Sequence, residues 1–145
     1  MPTARARRAL PADPAAVWAI VGDPRRLPEW WPRAVRVEGV SGRAFTIVLM
    51  SKRGREVRAD QRLLVEERGR RRAWALEVEG TPYAEVFSSS ETEVRVSPQG
   101  GGALVELELR QRLRAGASLG SLLLRRASKR QLREALGALE AALSP

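Results

Sequence analysis

The 145 residues contain no histidine and no cysteine, so chemistry in this chain falls to hydroxyls, amides, carboxylates, arginines and a single tyrosine. Thiolate nucleophiles and disulfides are excluded, and the commonest general base and metal ligand is missing. A transition-metal site is not expected, nor is any other metal or cofactor. Carboxylates such as Glu77 or Glu85 could do acid–base work, but no pair with divergent acidity is marked by its spacing. The residues that stand out are neutral polar groups set into apolar alternation. Gln61 shares a strand face with Val57, Ala59, Leu63 and Val65, and Gln111 one with Val105, Leu107, Leu109 and Leu113. Ser88 and Ser90 fall in a strand whose register the sequence leaves open. An unpaired amide or hydroxyl costs about 1–3 kcal/mol to bury, so several on one inner face require mutual pairing, water or a ligand.

Aromatic residues add to the set. Trp30 and Trp31 sit between Pro28 and Pro32 in a chain with four tryptophans. Trp30 is expected to anchor a short helix and border a cavity, while Trp31, about 100° further round a helical turn, is expected to be the more exposed. Trp74, in phase with Leu76 and Val78, could be packed core or a stacking platform. Tyr83, beside Pro82, could donate a hydrogen bond at a rim, and Arg55, in phase with Val57, could meet an acidic ligand group.

Positioning these groups requires a scaffold, and the chain supplies its punctuation. Residues 3 to 10 read as a first strand. Asp13 and Pro14 then open a helix that buries Val17, Ile20 and Val21 and stops at Gly22, and Asp23-Pro24 opens a second, short one. Strands follow at 35 to 40, 45 to 51, 55 to 67, 71 to 79, 84 to 97 and 103 to 114, separated by turn residues, as in an antiparallel meander. A long helix from about 118 to 143 closes the chain. Leu132, Leu136, Leu139 and Leu143 share one of its faces, which continues back through Ser128, Arg125 and Ser121. Leu119, Leu122, Leu123 and Leu124 cover a broader arc of its first turns. The face through Leu132 predicts solid core; Arg125 and Ser128, with Leu119 and Leu123, are expected at a cavity. Meander turns alternate between sheet ends, so Trp30, the turn before Arg55, Tyr83 and the start of the long helix share one rim.

One domain spanning residues 1–145 fits this length. The formal charge of +9 is carried almost wholly by arginines interleaved with glutamates, which predicts a solvated surface rather than a specific nucleic-acid partner. No apolar run is long enough to span a bilayer and the first residues lack a signal sequence, so a cytoplasmic protein without a transmembrane segment is expected. A homodimer is compatible with this reading.

The stretch "LPADPAAVWAIVGDPRRLPEWWP", with Pro14, Val17, Trp18, Asp23, Trp30 and Pro32, and the closing "LREALGALEAAL" resemble the START-like, helix-grip superfamily (SRPBCC type), which includes polyketide cyclases and lipid binders. The resemblance implies an α+β fold: a curved antiparallel seven-stranded sheet around a long C-terminal helix, with two short helices between strands 1 and 2 and an apolar cavity beneath. It implies a binder or carrier of a hydrophobic small molecule, such as a lipid, a quinone or a polyketide-like aromatic. The alternative is a metal-free aromatase or cyclase acting on a poly-ketone chain in the same cavity, and a regulator docking its basic surface on an acidic partner is a third class.

Overall fold

Three dipeptides, Asp13-Pro14, Asp23-Pro24 and Thr81-Pro82, each open a helix. In the computed structural model, which describes residues 3–114 and 121–144, Asp13 accepts a hydrogen bond from the Ala15 amide (3.2 Å) and caps α1 (Pro14–Val21). Asp23 accepts one from the Arg25 amide (3.0 Å) at a 3₁₀ helix, Pro24–Glu29. Thr81 caps a further 3₁₀ turn, Pro82–Glu85, where sequence reading expects the chain to run straight into a strand. Proline suits the position after each cap because its absent N–H would have no helical partner there.

The strands are β1 (Thr3–Leu10), β2 (Ala34–Ser41), β3 (Ala44–Met50), β4 (Glu56–Glu67), β5 (Arg71–Leu76), β6 (Phe87–Gln99) and β7 (Gly102–Leu113). They form one antiparallel sheet in the order β1-β7-β6-β5-β4-β3-β2. The meander is therefore as expected, with β1 returning beside β7, so that α1 and the first 3₁₀ helix connect the two edge strands. At the β1–β7 corner the backbones approach so closely that a Cβ on Gly102 would lie 2.2 Å from the Leu10 carbonyl oxygen.

Helix α2 (Ser121–Leu143) runs about 35 Å along the inner face. Leu132, Leu136 and Leu139 are fully buried, against a core that includes Val17 of α1, Val94 of β6, and Val105 and Leu107 of β7. The expected solid-core face of the helix is thus observed through Leu139, while Leu143 at its end is only partly buried. Inner-facing Arg72 ties α1 to the sheet by donating to the Gly22 carbonyl (3.2 Å) and to Glu66 (2.5 Å). Burial pulls its pKa down, against the raising effect of Glu66. On the outer face, charges interleave across neighbouring strands. Buried Glu93 is held by Arg95 and, at 3.3 Å, by Arg110, while Arg36 bridges Glu38 and Glu56.

Candidate functional site

Sheet and helix do not close fully on each other. Where β3 to β7 pass beneath the middle of α2, they leave a cavity of about 110 Å³. Its apolar wall includes Trp31, Ile47, Leu49, Trp74, Phe87 and Leu109, and its polar wall Gln61, Tyr83, Ser90, Thr92, Gln111 and Gln131.

The first 3₁₀ helix decides which tryptophan reaches this space. Both the Trp30 and the Trp31 amides donate to the Leu27 carbonyl, and the Ala34 amide donates back to Trp31, so the chain folds sharply after the pair. Arg33 adopts a left-handed backbone (φ 67°) to make that turn. Trp30 points into the core at 1% exposure, and among the described residues its indole N–H has no partner. Trp31, expected to be the exposed one, is only 8% exposed and lines the cavity. The helical-wheel expectation fails because a tight turn, rather than a continuing helix, sets the direction of the second ring. The rings meet edge to face at 5.6 Å, and Trp31 passes the contact on to Trp74 at 6.3 Å and Trp74 to Phe45 at 6.3 Å.

The polar wall is wired. Ser128 on α2 donates to Gln111 Oε1 (3.1 Å), and Gln111 Nε2 donates to Ser90 Oγ (3.2 Å), which links helix, β7 and β6 in one chain. Among the described residues the Ser90 proton has no protein acceptor, so it is available to the cavity. Gln61 donates to the Ala59 carbonyl of its own strand (3.3 Å). Tyr83 crosses from its 3₁₀ turn to donate to the Arg58 carbonyl (3.1 Å) and closes one side. Burial pushes its phenol pKa above the usual value of 10, and the negative charge of Asp60 adds to the shift.

Of the residues singled out in the sequence, Gln61, Trp74, Tyr83 and Gln111 line this one space, and Ser128 is bonded to its wall. Ser90 also faces it, whereas Ser88 is exposed, because a bulge between Phe87 and Ser89 resets the strand's alternation. Trp30 lies behind the wall. Arg55 is exposed in the β3–β4 turn, and Leu123 and Arg125 are exposed on α2. Leu119 lies outside the described residues. Gln131 and Thr92 were legible but unclaimed: one sits three residues along the helix from Ser128, the other two along the strand from Ser90.

Among the described residues the wall carries no carboxylate and no cationic side chain, and Tyr83 is its one ionisable group. No group of three or more metal-binding side chains occurs among them either. The arrangement can surround an apolar body and offer neutral hydrogen bonds.

A family model described as "Polyketide cyclase / dehydrase and lipid transport" matches residues 1–144. Among curated proteins there is no significant match. Solved structures similar to this chain include TTHA0849 from Thermus thermophilus, at 23% identity and TM-score 0.75 over 99% of this chain and 100% of that one. A START superfamily protein from Mycobacterium smegmatis aligns at 13% identity and TM-score 0.79, covering 97% and 96%. BexL, a di-domain ARO/CYC from the BE-7585A biosynthetic pathway, aligns at 23% and 0.81, covering 97% of this chain and 46% of that one. At these identities the structural likeness speaks to the fold.

Proposed function

The chain belongs to the polyketide cyclase/dehydrase and lipid transport family, and from that premise we propose that it binds a carbonyl-bearing hydrophobic small molecule in the cavity between sheet and α2. The observation that carries this reading is the composition of the wall. Tryptophan and aliphatic surfaces provide apolar burial, and the Ser128–Gln111–Ser90 chain ends on the cavity wall in a hydroxyl that has no protein acceptor among the described residues. Such a hydroxyl suits a ketone or quinone oxygen. The volume of about 110 Å³ is of the order of cavities that admit benzene, so one ring of the ligand fits inside.

Binding is favoured over ring closure of a poly-ketone because aldol chemistry needs a proton acceptor. The phenol of Tyr83, raised above 10, is neutral at pH 7. Native mass spectrometry of the purified protein tests the reading: a retained hydrophobic compound, released on denaturation, is expected. No retained compound, together with no rise in Tm across a panel of single-ring ketones, quinones and phenols, would refute it. Conversion of a poly-ketone thioester to a cyclised product would establish the enzymatic alternative instead.

A further inference from the structure

The first half of α2 carries a surface that the cavity does not use. At 100° per residue, Leu122, Leu123, Arg126, Lys129, Arg130 and Arg133 fall within an arc of about 120° on the side of the helix away from buried Ser128 and Leu132. All six are exposed, Leu122 at 59% and Leu123 at 67%. Among the described residues none of these four cations has a carboxylate within 4 Å, whereas Arg36, Arg58, Arg71, Arg95 and Arg110 of the sheet are all paired. The charge along this stretch is of one sign: residues 121–133 hold five cations and no carboxylate.

We propose that this face docks on an anionic lipid surface, the four cations against headgroup phosphates and the two leucines in the acyl boundary. The pairing of features selects the partner. Phosphates of a nucleic acid would engage the cations but gain little from leucines, whereas an interfacial helix uses both. Docking here brings the turn Ser128–Gln131, which roofs the cavity, close to the membrane. The surface stands on its own observations, whatever the cavity binds.

Flotation of the full chain with vesicles tests this at physiological salt. Binding is expected to phosphatidylglycerol/phosphatidylcholine vesicles, with little to pure phosphatidylcholine. R126Q/R130Q/R133Q should weaken it on the order of 100-fold, at about 1 kcal/mol per surface cation. L122S/L123S should weaken it roughly tenfold or more, since both side chains lose apolar burial. All positions are exposed, and circular dichroism with a urea midpoint verifies that each variant folds. A salt titration of the unmodified chain, with binding to anionic vesicles falling as salt rises, supports the same claim without any substitution. Failure of the unmodified chain to bind anionic vesicles would overturn the proposal. So would undiminished binding by L122S/L123S, or tighter binding to duplex RNA or DNA than to vesicles with no effect of the leucine changes.

Discussion

Replacing Gln111 with alanine cuts both links of the Ser128–Gln111–Ser90 chain at once, and its cost can be worked from the contacts. Ser128 and Ser90 are 6% and 8% exposed, so each hydroxyl loses a partner in a place where water reaches it poorly. Lost hydrogen bonds cost about 1 kcal/mol each net, and stranded polar groups about 1–3. The adjoining cavity of about 110 Å³ is large enough to admit water to the stranded groups, which places the sum near the low end. Gln111→Ala is therefore expected to destabilise by about 2 kcal/mol, read as a lower urea midpoint at constant slope. The triple variant Ser90→Ala/Gln111→Leu/Ser128→Ala removes all the partners together and should lie within about 1 kcal/mol of the unmodified chain, because no polar group is stranded. A Gln111→Ala cost below about 0.5 kcal/mol, or a triple variant at least as unstable as Gln111→Ala, would refute the reasoning that these three side chains form one paired unit.

Other substitutions follow from burial and direction. Leu136→Ala, at a fully buried core position, should cost about 2–5 kcal/mol in chemical denaturation, while Leu123→Ala, at an exposed one, should stay within about 0.5. Trp30→Ala and Trp31→Ala should each destabilise by about 3–5 kcal/mol, since both rings are buried. In thermal melts Trp30→Phe should be milder than Trp30→Ala, as it keeps a ring and removes a buried N–H without a partner. Absorbance near 295 nm should report Tyr83, the only tyrosine, titrating above 10, with Asp60→Asn moving the midpoint back toward 10. Because the folded pKa is the raised one, stability that depends on the neutral phenol is full below the unfolded value near 10. It falls as pH rises from there through the folded value, and Tyr83→Phe should flatten that decline in urea midpoints measured across the alkaline range.

Much of the scaffold was legible because its signals are local. Asp-Pro caps, period-two alternation in β4, β5 and β7, and the leucine face of α2 each specify an element within a few residues. Strand alternation puts Gln61, Trp74 and Gln111 on inner faces, and hairpin alternation puts Tyr83 at the rim; Trp30 and Arg55, expected at the same rim, do not line the cavity. What escaped depends on backbone irregularity. The bulge in β6 decides that Ser90 rather than Ser88 points inward, and the left-handed turn at Arg33 sends Trp31 to the cavity and Trp30 behind it. Neither follows from periodicity, since both interrupt it. Charge adds a distinction in space: along the chain arginines alternate with glutamates, and among the described residues many sheet arginines pair with them, whereas Arg126, Lys129, Arg130 and Arg133 of α2 have no carboxylate within 4 Å.

Four indole N–H signals make the placement of a ligand ring between Trp31, Trp74 and the Ser90 hydroxyl directly measurable. In a ¹H–¹⁵N correlation spectrum titrated with 4-hydroxyacetophenone, a single-ring ketone, saturable shifts of the Trp31 and Trp74 indoles are predicted, assigned by single Trp→Phe variants. Trp18 and Trp30, which do not line the cavity, should move little, and Ser90→Ala should weaken the binding. Shifts confined to Trp18, or equal affinity with and without the Ser90 hydroxyl, would contradict a ring bound in this cavity.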